Sequence, residues 1–494
     1  MPDVWIQQLS VKAYPQPPFS PAEHYVELKG VLDAAEQTDI NEVYAGVRSL
    51  LRRMGLDMAH IGTAEWNPLS SLIKPGQKVV LKPNLVFHEH PCGDQEMKGM
   101  LTHASLLRPV IDYILLATDG DVKVTIADAP VQGGDFERAC ELSGMTAIQA
   151  FYQKKGIEIA LVDTRMVKSI PNKMGVLDQR IHQRGSESYG RVDLKERSEL
   201  MEVMDKAKRF DITDYGFHAV EKHHNPEKNE YFIPKEVLEA DLFINFPKMK
   251  THRKAGLTCA LKNLVGINGD KTCLAHHTRG TKKQGGDEFS AANPKTIAKT
   301  RIWMFLKTNQ PGIWLASGAK WFFQKFVWKG QTLKQHNMAH KPQTFSEGSW
   351  HGNDTIWRCM KDLNKIIFYA DKSGKMQNTV QRNYLCIVDA VLAGEGEGPM
   401  EQTTKPFGVL MAGFNPVYID YVAARLMRYD YHSMPAIKNS FLNQWWPLVE
   451  KKPEEVVISS NCPLDEVADY FTPSFGWQEK LTPHDEPVCV EVEA

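Results

Sequence analysis

None of the eight cysteines (Cys92, Cys140, Cys259, Cys273, Cys359, Cys386, Cys462 and Cys489) falls in a C-x-x-C pair or in ferredoxin-type spacing. Iron–sulfur clusters and structural zinc sites need such spacing, so no iron–sulfur cluster is expected and the thiols are read as free, in a reducing compartment. No uninterrupted apolar run approaches the ~18 residues of a membrane span, and the first residues lack the charged-then-apolar pattern of a secretory leader. A cytoplasmic protein is therefore expected. A charge excess is missing too, with 59 Lys and Arg against 60 Asp and Glu. A nucleic-acid binder ordinarily carries a basic excess, so nucleic acid is not an expected partner and any cationic patch is local. His276 and His277 are adjacent, outside the i, i+4 spacing of a helical zinc site, and the alternating Gly394, Gly396 and Gly398 do not match the dinucleotide fingerprint.

What is present is an ordinary globular composition over 494 residues, 42% hydrophobic and 24% charged. That length allows several domains, or one α/β core with long insertions. Short apolar runs at 79–81, 122–127, 157–162, 241–245, 385–388 and 409–411 read as buried strands. Between them, helices are expected at 102–119, 136–142 and 255–265, with a last one opened by Asn415-Pro416. Strand and helix in alternation predict an α/β fold: a mostly parallel twisted sheet with flanking helices, Rossmann-like, with long helical and irregular insertions. The boundaries follow as an N-terminal extension packed on the core (1–75), a first core part (76–268) with an insertion at 164–230, a helical insertion (269–382), a second core part (383–430) and a C-terminal extension (431–494).

In such sheets ligands sit beyond the carboxyl ends of the strands. Those ends carry Asn84, Asp128, Lys248 with Lys250, and Asp389. The densest stretch, Lys248 to Lys254, is expected as a strand-to-helix loop in which Lys248, Lys250, His252 and Arg253 cradle an anion, with a solvated surface loop as the plain alternative. Asn263 and Lys262 on the following helix extend the set. Lys262 either points into the crevice or reaches back to water. Lys271, His276, His277 and Arg279 continue the polar set through a Gly-rich loop (266–286) able to close over a ligand. Glu397, among the alternating glycines, is placed to reach a cation or a hydroxyl. Asp420, on the apolar arc of the last helix, needs a buried partner. The aromatic stretch from Trp303 to Trp328 reads either as a partly buried helical subdomain or as a contact for a membrane surface or partner.

Several of these segments together resemble the family known as domain of unknown function 362. They are Lys82-Pro83-Asn84-Leu85-Val86, Thr102-His103 with Arg108, Ile126-Ala127-Asp128-Ala129-Pro130, Asn245-Phe246-Pro247-Lys248-Met249-Lys250-Thr251-His252, Ala260-Leu261-Lys262-Asn263-Leu264-Val265-Gly266, Ile387-Val388-Asp389-Ala390 with Glu397-Gly398-Pro399, and Asn415-Pro416-Val417 with Asp420. Some relatives carry a ferredoxin-like cysteine module, which this chain lacks. A fainter likeness of layout links it to the catalytic region of lactate-racemase-type proteins. The expected function is an enzyme acting on a small phosphorylated or carboxylated substrate, cation-assisted or of racemase or epimerase type. Lys262, His252 or His103 would move a proton, Lys248, Lys250, Arg253 and Asn263 would hold the anion, and Asp128, Asp389, Asp420, Glu397 and Asn84 would position a divalent cation or the basic groups. The competing expectation is a non-catalytic assembly protein that docks through residues 303–328. The sequence leaves the reaction, the cofactor and the oligomeric state open.

Overall fold

The computed structural model describes residues 2–31, 40–172, 176–213, 215, 218–306, 310–327, 340–442, 445–481 and 491–492. Its centre is an 11-stranded sheet. In chain order the strands are β1 (Val4–Gln8), β2 (Gln77–Pro83), β3 (Val122–Asp128), β4 (Ile159–Asp163), β5 (Leu242–Phe246), β6 (Lys248–His252), β7 (Gly256–Thr258), β8 (Asn383–Glu397), β9 (Glu401–Gly413), β10 (Ile458–Ser460) and β11 (Glu491–Val492). Across the sheet they run β11-β10-β1-β9-β8-β5-β2-β3-β4, while β6 pairs with β7 and with β8. The stretch from β8 through β5, β2 and β3 to β4 is parallel throughout. β9 is antiparallel to both β1 and β8. The fold is thus α/β with a mostly parallel sheet.

Alternation along each strand separates two cores. Val79, Leu81, Leu242, Ile244, Leu385 and Ile387 face one side of the sheet, where they meet α1 (Glu42–Arg53) and α2 (Leu107–Thr118). Val80, Phe243, Cys386 and Val388 face the other, against α8 (Ile356–Tyr369) and α9 (Pro416–Leu426). Both faces are covered, as a parallel sheet requires, and this accounts for the apolar character of the runs. On the first face α3 (Phe136–Ser143) and α4 (Met145–Lys154) follow β3. The chain start supplies a strand of the sheet itself, since β1 lies between β9 and β10.

Three local expectations are corrected. Residues 248–252 are a strand, and only 253–255 are a turn: β6 forms a hairpin with β7 and runs parallel to β8. The helix expected over 255–265 starts later, because Gly256 takes a left-handed φ of 80° and opens β7; its helical part is α5 (Ala260–Asn263), continued by a 3-10 turn, Leu264–Ile267. Thr102 does not cap a helix; its hydroxyl donates to Phe246 O (2.7 Å) and accepts from Asn84 N (2.9 Å), tying β2 to β5, and α2 begins at Leu107.

The 164–230 region holds a hairpin of Val167–Pro171 with Leu177–His182 and a three-stranded antiparallel sheet. The aromatic insertion holds α6 (Pro294–Leu306) and α7 (Gln310–Phe322), followed by a π-helical turn, Phe323–Val327. Trp328 lies outside the described residues, as does Cys489. The seven described cysteines are free thiols.

Candidate functional site

Because side chains alternate along a strand, Lys248, Lys250 and His252 share one face of β6, and Met249 points into the core on the other. The three residues fare differently. Lys248 stands opposite Asp389 in the neighbouring strand, and its ammonium lies 2.9 Å from that carboxylate, both side chains fully buried. The Tyr14 hydroxyl donates to Asp389 Oδ1 (2.7 Å) and His103 N donates to Oδ2 (2.9 Å). The charge of Lys248 is thereby neutralised inside the protein, so it is not available to hold an anion. His103, partly exposed, belongs to this same cluster. Its ring stacks on Tyr14 at 3.9 Å and its Nδ1 meets Ser105 Oγ at 2.9 Å, while burial, with Lys248 nearby, holds its pKa well below the usual range.

Lys250, two residues on, has no carboxylate partner among the described residues. Its ammonium donates to Asn84 Oδ1 at 2.9 Å and to Met100 O. Burial, reinforced by Lys248 and Lys262, pushes its pKa well down. His252 Nδ1 accepts from two backbone amides, Lys254 N at 3.0 Å and Ala255 N at 3.2 Å. A nitrogen that accepts twice carries no hydrogen, so a neutral ring has its proton on Nε2 and presents a donor there. Burial and the charges of Lys262, Arg253 and Lys250 keep the ring neutral by lowering its pKa well below the usual value.

The end of β2 joins the same region. Lys82 pairs with Asp128 at the end of β3 (2.8 Å), both buried, and the other Asp128 oxygen accepts from Leu85 N at 2.7 Å. Asn263 is the hub beneath them. Its Nδ2 donates to Lys82 O (3.1 Å) and Asn245 Oδ1 (2.7 Å), and its Oδ1 accepts from Asn84 Nδ2 (2.9 Å) and Lys82 Nζ (3.2 Å). Its amide is fully used in positioning β2, β5 and α5, which leaves no donor for a ligand. Gly266 closes over the pair so tightly that an added Cβ would collide with Asp128 Oδ1 and come within 2.8 Å of Lys82 Nζ.

Lys262 is the exception. Half-buried on α5, it finds no hydrogen-bond or ion-pair partner among the described residues. Burial, then the charges of Lys254 and Lys82, push its pKa down to about 8. The half-buried His276 ring feels Lys254, Lys262, His277 and Lys271, and with burial these hold it well below the usual range. Lys271 is pushed down to about 7 by burial, although Ala129 O accepts from its ammonium at 2.7 Å. Seven basic side chains (Lys82, Lys250, His252, Lys254, Lys262, Lys271 and His276) are therefore close enough to oppose one another's charge. Asp128 is the carboxylate engaged with them by a direct ion pair, at Lys82.

The other expected carboxylates do not meet at a common point. Asp420 accepts from Ala260 N (2.6 Å) and Leu261 N (3.2 Å), and so fixes the start of α5 from α9; burial raises its pKa to about 7. Glu397 accepts from Phe475 N. Arg253 is turned to Glu401 (3.1 Å) and to the carbonyls of Glu397 and Gly398, where it holds the β8–β9 hairpin. The alternating glycines let this hairpin pass close to the protein's own β6: a Cβ on Gly394 would lie 2.9 Å from Lys250 Cβ, and one on Gly398 would strike Thr251 O. The Gly-rich segment after α5 is packed, with His277–Thr278 paired to Phe210–Asp211. Sequence reasoning gave no role to Tyr14, which sits in a Pro-rich stretch with no periodic signal. Lys82 appears in the sequence within the Lys82-Pro83-Asn84-Leu85-Val86 motif, with no signal of its pairing to Asp128.

Together these features place a cluster of basic side chains at and beyond the carboxyl ends of β2, β3 and β5 in an α/β protein. The chain belongs to the family described as Domain of unknown function (DUF362), whose model matches residues 79–184 and 186–425. No curated protein matches it. A protein from Thermotoga maritima of known crystal structure aligns with it at 9% identity and a TM-score of 0.29, over 73% of this chain and 53% of that one; the chain thus spans about half the length of that structure.

Proposed function

We propose that the protein is an enzyme acting on a small carboxylated or phosphorylated substrate, held in the crevice by Lys262, His276 and the Nε2–H of His252. Lys262 is the group that exchanges a proton with the substrate. The observation that carries this reading is the unpartnered ammonium of Lys262 among six other basic side chains. Basic groups that outnumber the carboxylates ion-paired with them cost stability, and an anionic ligand relieves that cost. A lysine near pH 8 is also divided between amine and ammonium around neutrality, which suits it to accept a proton in one step and return it in another. Lys250, through Asn84 and Asn263, ties the floor of this region to β2 and β5. A carbanion or enolate formed beside a carboxylate would be stabilised by the same positive field, which is the physical basis for a racemase- or epimerase-type step.

The test uses the full chain, with sulfate and phosphate as probes of anion binding. Millimolar anion should raise the melting temperature of the native protein, and Lys262→Met should remove most of that rise without changing the far-ultraviolet circular dichroism. Incubation with a panel of small 2-hydroxy and phosphorylated acids in deuterium oxide should then give proton exchange, read by NMR, that Lys262→Met abolishes. Equal anion stabilisation in both proteins would remove Lys262 from the site and end this reading.

A further inference from the structure

From Phe289 to Ser346 the sequence holds nine Lys and Arg residues and no Asp or Glu. This one-signed stretch contains α6, α7 and the π-helical turn. α7 is anchored on one side: Ile313 and Ala316 are buried, and Ser317 Oγ accepts from Asn172 Nδ2 at 2.8 Å, beside the Val167–Pro171 hairpin. Its opposite side carries Trp314, Leu315, Trp321 and Phe322, whose spacing of one, seven and eight positions brings them onto one stripe of a helix. Trp314 is 70% and Leu315 66% exposed. Ile302 and Phe305 on α6, and Phe326 and Val327 on the turn, are also exposed. Lys325 Nζ lies 5.1 Å from the Trp321 ring and 5.6 Å from that of Phe326, so a cation borders the apolar group directly.

We infer that this helical hairpin docks the protein onto an anionic lipid surface, independently of the reading given for the crevice. Tryptophan and phenylalanine with aliphatic neighbours enter the boundary between headgroups and acyl chains, and lysines at its edge meet lipid phosphates. Charge selects this occupant. A second copy of the chain would bring one cationic hairpin against another in a twofold contact, where like charges oppose each other. A single-stranded nucleic acid would use ring faces for stacking and would leave Leu315, Ile302 and Val327 without a role. The helices have 13 residues each, short of the roughly 20 needed to cross a bilayer, so the contact is peripheral.

Flotation of the full chain with vesicles tests the inference. Vesicles of phosphatidylcholine with about one third phosphatidylglycerol should carry the protein upward at low salt, and pure phosphatidylcholine vesicles should not. The triple substitution Trp314→Ser, Leu315→Ser and Phe322→Ser should lower the bound fraction on anionic vesicles at least about tenfold. The same variant should keep its melting temperature and its response to sulfate, which shows that the fold and crevice are intact. Absence of flotation, equal binding to neutral vesicles, or undiminished binding by the variant each overturns the proposal. A dimer that dissociates on the triple substitution, with no flotation, assigns the hairpin to a second copy and overturns it as well.

Discussion

Lys248 and Asp389 stand opposite each other in adjacent parallel strands, 141 positions apart in sequence, and their side chains close a 2.9 Å ion pair sealed from solvent. The pair joins β6 to β8. Tyr14 and the amide of His103 complete the coordination of the carboxylate.

A buried pair of this kind stabilises less than its loss destabilises, because removing one partner leaves the other charge without water or counter-charge. Asp389→Leu is expected to cost about 3–5 kcal/mol in urea unfolding. The double substitution Lys248→Met with Asp389→Leu should recover much of that loss, since no orphan charge remains. A double variant as unstable as the two single variants added together would show that the residues are not coupled.

The strands were legible because both faces of the sheet are covered and their apolar runs stand out. The segment that carries the crevice was not. Lys248, Lys250 and His252 alternate with Met249 and Thr251, a strand period that the density of charge disguised as a loop. Leu257, Ala260, Leu261 and Leu264 do recur at helical spacing. Yet Gly256 turns with positive φ in a place where an added Cβ would lie 3.1 Å from the Trp477 ring, and a helix does not begin there. Which lysines are neutralised depends on partners far along the chain: Lys82 meets Asp128 and Lys248 meets Asp389, whereas Lys262 meets neither. Spacing gives the residue types of a site, and three-dimensional pairing decides which of them remain available.

Gly266 makes the Lys82–Asp128 pair possible by lacking a side chain. Its carbonyl also accepts from Ala129 N at 3.0 Å, so the backbone cannot withdraw without losing a contact to the end of β3. Gly266→Ala should destabilise the fold by about 1–3 kcal/mol, the usual cost of an overpacked buried position. It should also weaken sulfate binding, because the displaced Lys82 changes the field at Lys262. Calorimetric melting and sulfate titration check both effects. An unchanged melting temperature would mean that the pair moves aside freely and does not brace the crevice.

The pH dependence of anion binding follows from the depressed pKa of Lys262. Its ordinary value is 10.5, held in the unfolded chain, and the folded value is about 8. Between these limits the unfolded state binds the extra proton, so this group makes stability rise with pH across roughly 8 to 10.5, with its full penalty present below 8. An anion seated beside the ammonium favours the charged form and raises the pKa toward its ordinary value. Binding must then take up a proton at and above pH 8, and affinity must fall as pH rises through that window. Sulfate does not titrate there, so the proton belongs to the protein. Titration calorimetry at pH 8.5 in buffers of different ionisation enthalpy should show net proton uptake in the native chain. In Lys262→Met any binding that remains should proceed without that uptake. Lys271, depressed to about 7 and tied to Ala129 O, has a window that overlaps this one, so the Lys262→Met comparison and not the pH separates the two. Binding heats independent of buffer at pH 8.5 would show that the bound anion does not contact Lys262.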